Sequence, residues 1–200
     1  MDGQTAPTHR TAAELEGFLS ELGRAPLDEG VLELIVRRPA RLEREVAEGA
    51  ELDLDLGLVG DSWQQRGSRH TDDGRAERDR QITVMGSRIA SFIAGAPERV
   101  PLAGDQLYVD LDLSEDNLPA GTLLAFGLDP QRPAAVVVVT APPHTGCAQF
   151  VERFGAEAMR FVNGREGRRL RLRGLNARVV QAGPVRRGDS VTVIRPAAGG

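Results

Sequence analysis

Lysine is missing from this 200-residue chain, whose 25 basic residues are all arginine. That excludes a Schiff base to pyridoxal phosphate, a P-loop lysine and any mechanism with lysine as general base. Cysteine occurs once, as Cys147, so neither an internal disulfide nor a zinc framework drawing two cysteines from the chain is available. Aromatic residues make up 4 % of the chain, and no aromatic-rich strand is present to stack bases, which argues against a nucleic-acid partner. Histidine is limited to His9, His70 and His144. No apolar run nears the roughly 20 residues of a membrane span. The longest, residues 134–139, is strand-sized, and the opening MDGQTAPTHR lacks a signal-peptide pattern. The expectation is a cytoplasmic protein with no membrane partner and a reduced thiol.

What is present suits one domain of ordinary size, with 40 % apolar residues for a core and 27 % charged ones. The net charge of −4 is unevenly spread: residues 151–200 hold 11 arginines against four acids. A basic last quarter on an acidic protein points to a local anion site.

Residues 1–27 read as a tail followed by an amphipathic helix. Thr11 and Glu14 have capping-box spacing, and Leu15, Phe18, Leu19 and Leu22 share one helical face. From residue 28 to 196 the texture is short strands with turn signals. They fall at 31–36, 51–56, 81–85, 107–113, 122–126, 134–140, 178–181 and 191–194. Ser87 stands where it would cap a short helix to residue 93. Residues 148–162 read as a longer helix that Gly155 would divide, and Leu170-Arg171-Leu172-Arg173 alternates like a strand with its arginines facing solvent. The fold class predicted is mainly β with a few helices, a closed barrel with the N-terminal helix docked on it. Residues 197–200 are expected to be a disordered tail.

The chemistry concentrates at Pro142-Pro143-His144-Thr145-Gly146-Cys147, between an apolar strand and a helix. Two prolines end the strand, Gly146 permits a tight approach, and Cys147 falls at the helix start. There free backbone N–H groups and the helix dipole favour a nucleophilic, soft-metal-binding thiolate, and the same groups can hold an anion. His144 is placed to act as acid or base beside the thiol, or to orient the loop. Asp61 ends a Gly57–Asp61 turn (GLVGD) that it can tie down through backbone N–H groups. Arg153, on the helix after the cysteine, is the nearer candidate for a phosphate.

The His144–Cys147 stretch resembles the cysteine signature of the MOSC domain, the C-terminal domain of molybdenum cofactor sulfurase. Further blocks resemble that family in its order: GLVGD at 57–61, QITVM at 81–85, GDQL at 104–107, LPAGT at 118–122, GLNARVV at 174–180 and RGDSV at 187–191. The resemblance covers residues 28–195 and implies a closed, strand-rich barrel. It also implies that Cys147 either ligates molybdenum in bound molybdopterin or carries sulfur as a persulfide. By the same resemblance Thr145 offers a cofactor-binding hydroxyl. Asp105 and Gln106 stand where the family's glutamate and asparagine would be, each changed by one methylene.

The candidate cofactor-binding residues are therefore Thr145, Gly146, Cys147, Asp105, Gln106 and Arg153. Cys147 is the candidate metal ligand, and Cys147 with His144 the candidate catalytic pair. A reductase acting on N-hydroxylated compounds would need electrons from separate proteins, because no iron–sulfur or flavin motif is present. A sulfur carrier would need a sulfur-donor protein. The alternative is a non-catalytic module that holds the cofactor or a similar anion. No covalent pyridoxal adduct is expected in any of these.

Overall fold

The computed structural model describes residues 9–68, 71–129 and 131–196. The expected tails (1–8 and 197–200) and His70 lie outside them. The strands are β1 (Glu29–Arg37), β2 (Glu45–Ala47), β3 (Gly49–Asp53), β4 (Gly57–Leu58), β5 (Ile82–Gly86), β6 (Leu107–Asp110), β7 (Leu123–Gly127), β8 (Ala135–Pro143), β9 (Leu175–Gln181), β10 (Gly183–Arg186) and β11 (Ser190–Ile194). The helices are α1 (Ala12–Gly17), α2 (Leu19–Leu22), α3 (Trp63–Arg66), α4 (Ser87–Ala94), α5 (Ala148–Asn163) and α6 (Arg165–Arg169).

Seven strands close into a barrel in the order β1-β11-β7-β8-β9-β5-β6, returning to β1. Closure depends on β1, which pairs antiparallel with β11 (Glu29↔Thr192) and with β6 (Ile35↔Leu107). Among the described residues only β5 and β6 run parallel, and α4 with a 3-10 segment (Pro97–Ala103) makes the crossover that parallel neighbours need. Strands β10, β3 and β4 form a small second sheet.

The strand period of two divides the core in two. Val84, Leu107 and Val109 point into the barrel with Leu32, Ile82, Phe126 and Val137. Their neighbours Met85 and Tyr108 point outward, into a second cluster with Leu15, Ile89, Ile93, Phe150, Phe154 and Leu172 from the helical side. Strands buried on both faces carry no polar alternation, which is why β5 and β8 read as nearly continuous apolar runs. The barrel and docked N-terminal helix expected from the sequence are both present. The Thr11–Glu14 capping box forms, Leu15 is fully buried, and the Phe18 ring stacks on Phe92 at 4.0 Å. The helix is interrupted at Phe18, however, which caps α1 and starts α2.

Three local expectations are corrected. Ser87 is the first residue of α4 and Gly86 its cap, and the Ser87 hydroxyl is buried without a partner. β8 runs past Thr140 to include both prolines, Pro143 pairing with Leu175 as its last residue, so the strand is longer than expected. Leu170–Arg173 is a turn: Leu170 caps α6, Arg171 sits at φ 47° and Leu172 enters the helical-side core. Four alternating residues fit a strand equally well, and only tertiary packing separates the two.

Candidate functional site

Cys147 is the N-cap of α5, with an extended backbone (φ −123°, ψ 179°), and is exposed. Its carbonyl accepts from Phe150 N at 2.9 Å and Val151 N at 3.2 Å, while its side chain makes no capping bond. The division expected at Gly155 is present, since φ 88° and ψ 163° there interrupt the helix. A Cβ at that position would also meet His9 Nδ1 at 2.8 Å. Only residues 148–154 therefore lie between Cys147 and the break, so its macrodipole is that of a two-turn helix. After the bend the helix returns, and Asn163 clamps the cysteine loop. Its Oδ1 accepts from Gly146 N at 3.0 Å and its Nδ2 donates to Gly146 O at 3.4 Å. Thr145 is exposed next to it.

His144 turns inward to a buried charge cluster. Its Nε2 lies 2.7 Å from Asp105 Oδ1. Asp105 is wholly buried, and its second oxygen accepts from Arg173 Nη1. Arg173 also donates to Ala103 O at 2.9 Å and lies over the Phe150 ring at 5.2 Å, on the first turn of α5. Burial pushes the Asp105 carboxyl up, but Arg173 and then His144 outweigh it and hold the group below its ordinary range. Burial, and after it Arg173, pushes His144 down against the pull of Asp105. The neutral imidazole therefore donates its Nε2 proton to an ionised Asp105, leaving Nδ1 as the ring's acceptor.

A pH dependence follows. The unfolded chain takes a proton on histidine near 6.5, and folded His144 resists one, so protonation favours unfolding. Stability should be level above that value and fall as pH drops below it. Urea melts across the range check this, with a His144→Gln protein expected to lose part of the slope.

A cleft of about 360 Å³ opens beside His144. Its walls include Arg38, Arg66, Arg80, Thr83 and Asn176. Arg38, following β1, is buried and grips Asp61 through Nε at 2.7 Å and Nη2 at 2.9 Å, and donates to Gly104 O at 3.0 Å. Asp61 also accepts from Trp63 N at 2.9 Å, so it ties its own turn while neutralising Arg38. Arg66 is held more loosely by the same carboxylate, at 3.4 Å. Arg80 pairs with Glu77 at 2.8 Å and donates to Pro143 O at 2.9 Å, next to the cysteine loop. Three arginines thus face two carboxylates around the opening. A larger groove of about 750 Å³, between β1 and α4, is lined by none of the candidate catalytic, cofactor-binding or metal-ligating residues.

The structure brings some candidates together and separates others. His144 and Asp105 form one cluster, and Cys147, Thr145 and Gly146 adjoin it along the loop. Cys147 is not among the side chains that line the cleft. Gln106 is fully buried and its amide is spent on the barrel. Its Oε1 accepts from Thr83 N at 2.7 Å and Thr83 Oγ1 at 3.1 Å, and its Nε2 donates to Gln81 O at 3.3 Å. Arg153 donates to Leu102 O at 2.6 Å, away from the cleft lining. Of the C-terminal arginines only Arg173 reaches the site. Arg169 pairs with Glu166 and Asp116, Arg178 with Asp79 and Arg187 with Glu48. Sequence reasoning missed Arg38, Arg66, Arg80 and Asn163. No local signal marks them, since their partners are set by the barrel closure and the α5 bend.

Gly174 fixes where Arg173 points. It sits at φ 99°, and a Cβ there would run into the Val84 carbonyl oxygen. Gly174→Ala should cost at least about 1–3 kcal/mol from the backbone conformation alone, measured by urea unfolding.

No protein-family model matches the chain, and no curated protein matches it in sequence. Solved structures do match in shape. The YuaD protein from Bacillus subtilis aligns with a TM-score of 0.60 at 17 % identity, over 82 % of this chain and 95 % of that one. YiiM from Escherichia coli aligns at 0.53 and 17 % identity, over 84 % and 72 %. The fold is MOSC-like. Likeness at this identity establishes the architecture alone.

Proposed function

We propose that this barrel binds an anionic molybdenum–pterin cofactor in the arginine-walled cleft and uses Cys147 as its soft ligand or, in a sulfur-carrying role, as a persulfide site. What supports this is one juxtaposition: an exposed thiol at the start of α5 stands three residues from a histidine that lines a cationic cleft. The residues fit such a group. Arg66, held only loosely by Asp61, suits a phosphate, Thr83 and Asn176 offer polar groups in the wall, and the volume lies within the range of small-ligand sites. Among the described residues no three His, Cys, Asp or Glu side chains group to hold a metal ion. A metal at Cys147 would therefore take its other ligands from a cofactor. When bound, that cofactor would supply a molybdenum centre able to accept oxygen from an N-hydroxylated compound.

The chain's own part is to bind and orient. Burial and Arg173 keep His144 neutral against the pull of Asp105, which accepts the Nε2 hydrogen bond and leaves Nδ1 as the acceptor at the cleft. Asn163 fixes the loop that presents the thiol. In the sulfur-carrying role the Cys147 thiolate attacks the outer sulfur of a donor persulfide; the donor S–S bond breaks and the donor leaves as thiolate. Electron or sulfur donors are separate proteins. The test is molybdenum content and Cys147-peptide mass on protein from a cofactor-making host. Wild type carrying neither metal nor extra sulfur overturns the proposal.

A further inference from the structure

Arg44 and Arg153 are two cations that the fold sets close together without a counter-charge. Arg44 precedes β2 and Arg153 lies in α5, and both reach the surface over Gly104. A Cβ built on that glycine would stand 3.2 Å from Arg44 Nη2 and 3.9 Å from Arg153 Nη1. Among the described residues neither guanidinium has an ion-pair partner. The two acids flanking Arg44 do not serve it, because Glu45 pairs with Arg37 and Glu43 meets it only through its backbone carbonyl. The nearby carboxylate of Asp61 is gripped by Arg38. Arg153 has the Leu102 carbonyl, a dipole rather than a charge. The Arg44 Nε is shielded from solvent and has no hydrogen-bond partner. Burial, then Arg153 and then Arg38, makes the Arg44 charge less favourable than an ordinary arginine's.

Two forks facing one gap with repulsion unrelieved call for an anion, and the donors in reach define its type. We propose that Arg44 and Arg153 form an anion site over Gly104 that takes a phosphate group, as inorganic phosphate or as a monoester. A dianion neutralises both cations, where a carboxylate leaves one uncompensated. Its oxygens accept from Arg153 Nη1 and Arg44 Nη2, and drawing Arg44 round to the ligand gives Nε the partner it lacks. Gly104, at φ 92° and without a side chain, leaves the gap open. The site lies outside the cleft lining and does not depend on the role of Cys147.

The test is calorimetric titration of the full chain with inorganic phosphate and, separately, ribose 5-phosphate at low salt. Wild type and Cys147→Ala should bind phosphate alike, saturably and more weakly as salt rises. Arg44→Gln and Arg153→Gln should each weaken binding at least tenfold, with Arg44→Lys between them and wild type because it keeps the charge and loses the fork. Arg24→Gln, at an exposed arginine paired with Glu21 and outside the cleft lining, should leave it unchanged. Binding of both probes would mark an ester ligand, and of phosphate alone a free anion. If Arg153→Gln does not fold, the Arg44 pair carries the test. No saturable binding by wild type, or equal binding by Arg44→Gln, overturns the proposal.

Discussion

Cys147→Ala is expected to lower bound molybdenum from near-stoichiometric to background, while changing unfolding free energy by no more than about 0.5 kcal/mol. Both halves come from the same geometry. The side chain is exposed and makes no capping hydrogen bond, so its removal leaves α5 and the loop intact. The loop is held by Asn163 on the Gly146 backbone, which the substitution does not touch. A thiolate that ligates metal has no replacement among the described residues, where no other group of potential ligands assembles. Elemental analysis of the two proteins, made side by side in a cofactor-producing host, decides between the two roles. Metal present in wild type and absent from the variant identifies a ligand. Metal absent from both, with one extra sulfur atom on the wild-type Cys147 peptide, identifies a carrier. Metal retained by Cys147→Ala would leave the cysteine without a ligand role.

Much of the scaffold around that thiol was legible in the sequence, for identifiable reasons. Short apolar runs between turn residues gave away the barrel, because adjacent positions of β5 and β6 feed two cores and leave no polar face. Pro-Pro, Gly146 and the amphipathic run after Cys147 marked the helix start. The charge clusters were not legible. Arg38 meets Asp61 across 23 residues of sequence and Arg173 meets Asp105 across 68. A charged side chain is ordinarily taken as surface unless a partner is known. The Leu170–Arg173 alternation hid Arg173 further by suggesting a solvated strand face. Gln106 illustrates the reverse: its position in the GDQL block suggested ligand contact, and its amide instead stitches β5 through Thr83 and Gln81.

Arg173→Met should destabilise the fold by about 3–5 kcal/mol at neutral pH and reverse the pH trend set by His144. The methionine keeps the apolar stem that packs beside Phe150 but removes the charge facing Asp105 and the bond to Ala103 O. Asp105 would remain buried with one partner, His144 at 2.7 Å. In the native protein Arg173 is the main charge opposing protonation of His144, so its loss leaves only burial and the weaker effect of Arg38 against the carboxylate pull. The imidazole would then take up a proton to serve as the counter-charge. Wild-type His144, with its pKa depressed, contributes stability that is present above pH 6.5 and lost as pH falls. The variant's His144, raised above its unfolded value, contributes stability that is present below that value and lost as pH rises. Between pH 7.5 and about 6 the two proteins should therefore change in opposite directions, wild type weakening and the variant regaining part of its loss, until protonation of Asp105 ends the recovery. NMR titration of the imidazoles gives a readout that simple loss of packing would not move: the His144 midpoint shifts up in the variant. The same midpoint in both proteins, or parallel stability profiles, would mean that Arg173 does not set the protonation state beside the cysteine loop.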